Sequence, residues 1–321
     1  MDRFEALQAF VRVVETSSFT RAAQTLQTSK ARVTQLIQQL EGHLRVKLLH
    51  RSTRRVAATE AGAAFYERAQ RLLAELDDAE TSVSAASTAP RGRLRVDVPA
   101  PFASLVLLPA LVEFQARFPE IQLDLGASDR RVDLIDENVD CVIRGGPLTE
   151  PHLRARQLAE LSMGVYAAPA YLQRAGIPDS PATLDEGAHV LIGYRGSRVG
   201  QPLRPVLQRD GTRHALRGRQ TLIVDDGNAY LAAGIAGLGV LWLPEYMASA
   251  PLQRGQLIPL FAGWQIEPMP LYLAYPQSPH VSRKLRAFID WVVELIARQP
   301  IGFHVPKQRS DGTPANIREP E

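Results

Sequence analysis

The chain has 321 residues, a hydrophobic fraction of 45% and a charged fraction of 22%, values typical of a soluble globular protein with two or three domains. Its opening residues lack the basic and apolar regions of a signal peptide, and no apolar run reaches the roughly 18 residues that span a bilayer. We therefore expect a cytoplasmic protein without a membrane partner. The single cysteine, Cys141, excludes an intramolecular disulfide and argues against a cysteine-based metal site.

The net charge of +3 is distributed unevenly along the chain. The first 60 residues contain ten Lys and Arg residues but only five Asp and Glu residues, so the remainder of the chain is slightly negative. A basic segment on a nearly neutral protein indicates a polyanionic partner for that segment. A solvated basic surface is the alternative on charge alone.

The first 26 residues have the spacing of short helices. The first helix carries apolar residues every three or four positions, which predicts a core-facing stripe. The stripe consists of Phe4, Leu7, Val11 and Val14. A second helix follows at TRAAQTL, with Ser17 or Ser18 as its N-cap, because a serine hydroxyl accepts orphan backbone N–H groups. The small residues Ala22 and Ala23 let this helix cross its neighbours closely.

A third helix is predicted from Lys30 to about Gly42, capped by Thr28 or Ser29. Its apolar stripe consists of Val33, Leu36, Ile37, Leu40 and Leu44. Its polar face consists of Lys30, Arg32, Thr34, Gln35, Gln38 and Gln39. Two short helices joined by a turn of three or four residues form the helix-turn-helix pattern, which the second and third helices match.

A small hairpin is predicted after the third helix, in the segment RVKLLHRSTRRVAATEAG. Its first strand is anchored by apolar residues, RSTRR forms the turn, and VAA returns as the second strand. Arg51, Arg54 and Arg55 surround the turn. Beside a helix-turn-helix, such a hairpin is a wing.

A long helix is predicted to begin after a cap at Thr59. Its apolar residues alternate at spacings of four and three over about three heptads, which is the pattern of a coiled-coil seam. The seam consists of Phe65, Ala69, Leu72, Leu76, Ala79, Val83 and Ala86. We interpret it as a dimerisation helix. Packing of the same helix on its own domain is the alternative.

The segment SAASTAPRG breaks this helix and predicts a linker. The remaining chain alternates strand patterns, such as GRLRVDV and DCVIRGG, with helix patterns, such as LVLLPALVEFQARFP, RRVDLIDENV and SRKLRAFIDWVVELIARQ. This alternation predicts a parallel α/β sheet. Trp242, Trp264 and Trp291 lie on apolar segments and are expected in the core, as is Cys141, which we expect to be inert.

The order of these parts resembles the LysR-type transcriptional regulators. The matching segments extend over about residues 1–297 and include LQAFVRVVETSSFTRAAQTLQTSKARVTQLIQQLEGHLRVKLLHRSTRRVAATEAG, RLRVDVPAPF, FPEIQLDL, VDCVIRGG, AAPAYLQRAGIP, AGIAGLGVLWLPEYMA and LRAFIDWVVE. The resemblance implies an α+β multidomain fold: a winged helix-turn-helix, a long linker helix that pairs protomers, and a periplasmic-binding-protein-like α/β effector domain of two lobes. It also implies a homotetramer built as a dimer of dimers, with RNA polymerase as a further partner.

The expected domains follow from the resemblance and the predicted elements. Residues 1–59 form the DNA-binding domain, 60–90 the linker helix and hinge, 91–303 the effector domain, and 304–321 a disordered tail. Lobe 1 covers about 91–161 and 267–303, and lobe 2 covers about 162–266.

Binding of double-stranded DNA is expected to centre on the start of the third helix, which should lie in the major groove. The residues expected to face bases are Ser29, Lys30, Thr34 and Gln35. Arg32 is ambiguous and is a candidate for phosphate contact. Arg51, Arg54 and Arg55 are expected to bind phosphate or the minor groove, with a solvated surface cation as the alternative for each.

A small-molecule effector is expected where strand ends meet in the cleft between the lobes. The candidate residues are Pro101, Ser104, Asp129, Arg144, Asp225 and Gly227. Pro99 and Pro101 remove N–H donors from the first strand end, which weakens the case for a carboxylate pocket. Arg144 has an ion pair with Asp140 or Asp129 as its alternative role.

An enzyme is the rival class of protein. The sequence contains no GxSxG, no P-loop, no GxGxxG after a strand and no Cys/His metal spacing, so no catalytic residue, metal or cofactor is expected. A DNA-binding regulator with a vestigial, ligand-independent effector domain is the second rival. In the favoured mechanism, effector binding shifts the oligomer between two arrangements that differ in DNA bend.

Overall fold

The computed structural model describes residues 2–51, 56–83, 89–130, 134, 137, 139–148, 150–196, 204–277, 281–299 and 301–305. The chain divides into two compact units, Met1–Ala89 and Pro90–Glu321. We call the first unit the head and the second the effector domain. Among the described residues, no helix has both the length and the apolar character needed to cross a membrane.

In the part of the head that the structure describes, there are four helices and one hairpin. The helices are α1 (Arg3–Thr16), α2 (Phe19–Thr25), α3 (Lys30–Leu44) and α4 (Glu60–Val83), and the hairpin strands are β1 (Leu49–Arg51) and β2 (Val56–Ala58). Ser18 caps α2 by accepting from the Arg21 N–H, and Ser29 caps α3 by accepting from the Arg32 N–H. These contacts confirm the predicted helix starts. The third helix extends two residues past the predicted end at Gly42.

The core of the head lies between α1, α2 and α3, and the start of α4 packs on it. Ala22 and Ala23 are almost completely buried, as their predicted role in close packing requires. Phe4 was expected on the core-facing stripe, but the structure leaves it 47% exposed. The buried residues of α1 begin at Ala6, and Phe4 lies before them in the first turn of the helix.

The hairpin has the predicted wing topology. Its strands are antiparallel, with Leu49 opposite Ala58 and Arg51 opposite Val56. Residues 52–55, including Arg54 and Arg55 at the wing tip, lie outside the described residues, as does the side chain of Arg51.

The helix that follows the wing begins as predicted. The Thr59 hydroxyl accepts from the Gly62 N–H at 2.9 Å and donates to the Lys47 carbonyl at 2.7 Å. A single threonine therefore caps α4 and connects it to the segment that leads into the wing. Thr59 N also donates to the Leu48 carbonyl at 2.9 Å, so that two hydrogen bonds join the same short stretches of chain.

Within the described residues, the effector domain has one large hydrophobic core in each lobe and a smaller cluster of Leu134, Val142 and Ala274. Lobe 1 contains β3 (Gly92–Val98), α5 (Ala100–Phe102), a π-helical turn (Ala103–Leu107), α6 (Leu108–Arg117), β4 (Ile121–Ala127), β5 (Cys141–Gly145), β6 (Leu153–Leu161), β15 (Met269–Pro276), α10 (Arg283–Ala297) and β16 (Phe303–His304). Trp291 and Phe288 of α10 pack on Phe114 of α6 in its core. The helix after β3 starts at Ala100, five residues before the predicted LVLLPALVEFQARFP segment.

Lobe 2 holds the intervening elements. They are β7 (Met163–Ala167), α7 (Pro169–Ala175), a 3₁₀ turn (Pro181–Leu184), β8 (Val190–Tyr194), β9 (Val206–Arg209), β10 (Thr212–Ala215), β11 (Arg219–Val224), α8 (Gly227–Ile235), β12 (Leu241–Pro244), α9 (Glu245–Gln253), β13 (Ile258–Pro259) and β14 (Gln265–Ile266). Strand β11 is parallel to β8, β12 and β13 are antiparallel to β7, and β10, β9 and β14 form a separate antiparallel sheet.

The lobe 1 sheet corrects the prediction of a parallel sheet. Its order is β16-β6-β15-β5-β3-β4. Strand β3 is parallel to β4 and β5, whereas β15 is antiparallel to both β5 and β6. The reason is topological: β6 leads the chain out into lobe 2, and β15 brings it back beside β6 in the opposite direction.

Other predictions have mixed outcomes. Cys141 and Trp291 are completely buried, whereas Trp242 and Trp264 are only half-buried. Burial raises the pKa of the Cys141 thiol well above its usual value, which keeps the thiol protonated and inert, as predicted. Most of the predicted helix RRVDLIDENV and residues 306–321 lie outside the described residues.

Candidate DNA-reading surface and lobe junction

The DNA-reading candidates occupy the first turns of α3. Ser29 uses its hydroxyl for the helix cap, accepting from Arg32 N at 3.1 Å. Thr34 donates its hydroxyl to the Lys30 carbonyl at 2.8 Å, which directs the hydrogen-bonding group of Thr34 into the helix. The side chains of Lys30 and Gln35 are exposed and make no hydrogen bond or ion pair with the described residues. These two side chains therefore have the greatest freedom to meet a ligand.

Arg32 is held by a carboxylate of the neighbouring helix. Its Nε donates to Glu5 Oε1 at 3.1 Å and its Nη2 to Glu5 Oε2 at 2.6 Å. This two-point pair connects α3 to α1 at the surface of the head. It also shields much of the positive charge of Arg32, which sets Arg32 apart from Lys30 on the same helix.

Glu41 is a residue that the sequence analysis missed. It is a carboxylate with only 3% of its surface exposed, and it lies on the inner face of α3. Its oxygens accept from Lys47 Nζ at 3.1 Å, from Leu48 N at 3.0 Å and from Leu49 N at 3.2 Å. The carboxylate therefore ties the recognition helix to the base of the wing.

The pKa of Glu41 reflects these contacts. Burial alone would raise the pKa, but the Lys47 ammonium and the two backbone N–H groups outweigh burial and hold the pKa below its usual value. A sequence signal existed, because Glu41 follows Leu40 at a position that the helical period assigns to the apolar stripe.

The predicted dimerisation seam is divided along α4. At its start, Phe65 lies 5.6 Å from the Phe10 ring and Ala69 is completely buried, so both pack on the core of the head. Further along, Leu72 is 50% exposed and Leu76 is half-buried. The side chain of Val83 lies outside the described residues. The first part of the seam thus has a partner within its own chain, as the alternative interpretation expected.

Asp129 lies where the two lobes meet. It follows β4, and its Oδ1 accepts from Ala100 N of lobe 1 at 3.2 Å. Its Oδ2 accepts from Gly227 N of lobe 2 at 2.5 Å. Both N–H groups begin helices, so one carboxylate serves the N-termini of α5 and α8 together.

Pro101, Ser104 and Gly227 meet at the same junction. A Cβ at Gly227 would lie only 2.5 Å from Pro101 Cγ, so the close approach of the lobes requires glycine there. The Ser104 hydroxyl donates to the carbonyls of Ala100 at 3.1 Å and Pro101 at 3.3 Å, and lies 3.4 Å from Asn228 Oδ1. Together with Asp129, these three residues place four of the six candidate effector residues at the junction of the lobes.

Arg144 has a different partner from either predicted one. It forms an ion pair with Asp97 of β3 at 2.7 Å, and both side chains are largely buried. The prediction of Asp140 or Asp129 as the partner is wrong, because residues on adjacent strands β3 and β5 lie closer than residues near in sequence. Asp140 instead accepts from Arg95 N. Asp225, the last candidate, is exposed and pairs with Arg195 at 3.3 Å.

Tyrosines line the junction and were not predicted. Tyr194, at the end of β8, lies close to Asp129, and its ring lies 5.2 Å from that of Tyr230. Burial raises the pKa of Tyr194, and the nearby Asp129 carboxylate raises it further. Burial likewise raises the pKa of Tyr246. These hydroxyls are neutral donors at physiological pH. Within the described residues, no group of three His, Cys, Asp or Glu side chains could hold a metal ion.

A winged helix-turn-helix head followed by a two-lobed α/β domain defines a DNA-binding regulator with a sensor domain. Comparison with protein families gives the particular family. Residues 4–63 match the model described as bacterial regulatory helix-turn-helix protein, lysR family, and residues 87–297 match the LysR substrate binding domain. The chain belongs to the LysR family of transcriptional regulators.

Individual relatives agree with this assignment. The chain is 37% identical over 300 residues to an HTH-type transcriptional repressor of Pseudomonas aeruginosa (strain UCBPP-PA14), covering 94% of both chains. It is similar to the solved structure of CrgA, a LysR-type regulator from Neisseria meningitidis, with 34% identity, a TM-score of 0.57 and coverage of 90% and 97%. The full-length Vibrio cholerae virulence activator AphB is similar at 27% identity and a TM-score of 0.57, with coverage of 90% and 98%. These relatives are regulators rather than enzymes.

Proposed function

We propose that this regulator recognises a specific operator through Lys30 and Gln35, and responds to a small molecule bound at the junction of its lobes. The observation that supports the first part is the exposure of these two side chains at the start of a capped recognition helix. Ser29 and Thr34 use their hydroxyls within the helix, so they contribute shape and, for Thr34, a methyl group.

The other cations are assigned a supporting role. Arg51, Arg54 and Arg55 on the wing contact phosphate, and the tie between Glu41 and the wing base sets where they lie. Arg32 remains paired with Glu5 and reaches at most a phosphate. The cell compartment is the cytoplasm, and RNA polymerase is a partner on the promoter. Domain limits near residues 59, 90 and 303 fit this division of roles.

Substitution of Gln35 with alanine tests the base-reading role. A glutamine can bond an adenine edge at two points, so the Gln35→Ala variant should lose about 1–3 kcal/mol on the operator. Its affinity for a duplex of unrelated sequence should stay the same. The measurement is a gel shift with a duplex from the promoter of the protein's own gene.

Gln8→Ala is the matched control, because Gln8 is an exposed glutamine on α1, outside the helix-turn-helix pair. This variant should bind both duplexes like the wild type. Equal losses on operator and unrelated DNA by Gln35→Ala would show that Gln35 does not read bases.

Pairing of two chains through α4 is the second part of the proposal, with a homotetramer as the complete assembly. Leu72 supports it, since this large apolar side chain on a helix is half exposed in one chain. A second unpartnered apolar surface consists of Leu105, Leu108 and Val112, which are 44%, 49% and 74% exposed on one face of the helix after β3. It supports a separate contact between effector domains.

Leu72→Asp should weaken the pairing, because a charge would be buried in the seam of the dimer. Light scattering across a dilution series should show dissociation at a concentration where the wild type stays assembled. Ala64→Asp, at an exposed position beside the seam, should leave the mass unchanged. A Leu72→Asp variant with the mass of the wild type throughout would remove Leu72 from the interface.

A further inference from the structure

The carboxylate of Asp129 occupies a position between two helix starts that belong to different lobes. The first N–H groups of a helix have no acceptor within the helix. Ala100 N is such a donor, and both of its neighbours, Pro99 and Pro101, lack an N–H. Gly227 N is a second such donor, since the Asp226 side chain that caps α8 accepts from Ala229 N and not from Gly227 N. Asp129 is the acceptor of both donors.

The contacts of Asp129 cross the junction between the lobes. The residue itself follows β4 of lobe 1, whereas Gly227, which donates to it, and the nearby Tyr194 belong to lobe 2. Separation of the lobes would break the hydrogen bond from Gly227 and move Tyr194 away from the carboxylate. The tight approach of Pro101 to Gly227 would be lost in the same movement.

We propose that Asp129 is a latch of the effector junction, whose carboxylate holds the two lobes together until a ligand carboxylate takes its place on the Ala100 and Gly227 N–H groups. This inference rests on the proposed effector role of the junction and specifies the regulation of that site. The competing ligand is a small carboxylate, because the two N–H donors already bind a carboxylate, that of Asp129.

The environment of Asp129 favours a latch that can be released. Burial raises its pKa, and the neighbouring Asp226 carboxylate acts in the same direction, whereas the Gly227 and Ala100 N–H groups lower it. The net direction is upward, so the junction disfavours the charged form of Asp129 relative to water, and release of the carboxylate into solvent removes that desolvation penalty.

Hydrogen exchange in the full-length protein tests the latch. In Asp129→Ala, the amides of Ala100 and Gly227 lose the acceptor that each has among the described residues, and both should exchange about tenfold faster or more, which corresponds to one net hydrogen bond. Asp129→Asn keeps the shape but has one carbonyl oxygen, so only one of the two amides should stay protected. Asp124→Ala is the matched control, because Asp124 lies on β4, the strand that leads to Asp129, and pairs with Arg93 and Arg95.

Chemical rescue gives the decisive measurement. Sodium formate added to Asp129→Ala should restore protection of both amides and raise the thermal transition of that variant. Equimolar sodium chloride should do neither, and the wild type should need much more formate than the variant for any response, because its own carboxylate occupies the two donors. Unchanged exchange at Gly227 in Asp129→Ala, or rescue by chloride equal to that by formate, would overturn the latch.

A parallel measurement of operator affinity separates the latch from the proposed function. If formate restores amide protection and the operator affinity of Asp129→Ala changes with it, both proposals are supported. If protection returns but operator affinity is the same with and without formate, the latch stands and control of DNA binding by the junction fails. If formate protects neither amide, the latch fails whatever the operator affinity does.

Discussion

Replacement of Gly62 with alanine is expected to destabilise the head strongly and weaken operator binding, although alanine normally favours a helix. Gly62 lies in the first turn of α4, where a Cβ would come within 1.9 Å of the Leu48 carbonyl oxygen. That atom belongs to the backbone leading into the wing, so it cannot rotate away. The helix and the wing must separate, and we expect a loss of about 3 kcal/mol, the upper range for overpacking.

Gly42→Ala provides a control of the same chemistry. Gly42 lies in α3, and a Cβ there would have no atom within 4 Å. This substitution should stabilise the head by about 0.5–1 kcal/mol, because alanine in a helix loses less conformational entropy than glycine.

The distribution of tryptophans allows the head to be followed separately. All three, Trp242, Trp264 and Trp291, lie in the effector domain. Unfolding of the head should therefore change the circular dichroism of the full-length chain but leave its tryptophan fluorescence unaffected. We expect Gly62→Ala to lower the circular dichroism transition while the fluorescence transition remains. A transition at the wild-type temperature by both probes would show that α4 and the wing are not in rigid contact.

The contact between the start of α4 and the base of the wing couples the position of this helix to that of the wing. The Thr59 hydrogen bonds and the packing at Gly62 fix the start of α4 to the base of the wing. Because α4 also carries the exposed Leu72, its position links the proposed pairing of chains to the placement of the wing arginines. A change in how two α4 helices pair would therefore move both wings on the DNA, which is the coupling that an effector needs.

The local parts of this arrangement could be predicted from the sequence. Caps such as Ser18, Ser29 and Thr59 depend on residues within three positions of one another, and the periodicity of α3 depends on the same short range. The family resemblance then supplied the order of domains. The wing was predictable for a similar reason, since the turn lies between two short apolar segments.

The remaining features depend on contacts between distant segments. The partner of Arg144 is Asp97, 47 residues away, because β3 and β5 are neighbours in the sheet. Asp129 could be predicted as an effector-binding candidate, but its hydrogen bond with Gly227, 98 residues away, depends on the packing of two lobes. The mixed direction of the lobe 1 sheet likewise follows from the return of β15, for which no local pattern exists. A sequence without an alignment contains no signal for these pairs.

Removal of the Glu41 carboxylate should cost the head about 2–4 kcal/mol, because Glu41→Ala leaves the buried N–H groups of Leu48 and Leu49 without an acceptor. Glu41→Gln retains one carbonyl oxygen and should have an intermediate effect. Glu5→Gln is the control: its pair with Arg32 is about 40% exposed on each side, and such surface pairs contribute at most about 1 kcal/mol. Circular dichroism in urea gives the stabilities.

The pH dependence of this effect has a defined sign. Since the folded state holds the pKa of Glu41 below the ordinary value of 4.5, the unfolded chain binds its proton more readily. The stabilisation is therefore complete above that value and declines as the pH falls through the lower, folded pKa. The stability difference between wild type and Glu41→Gln should stay constant from neutral pH to about 5 and shrink below it. A difference that grows on acidification would mean that the buried carboxylate is not the charged anchor of the wing.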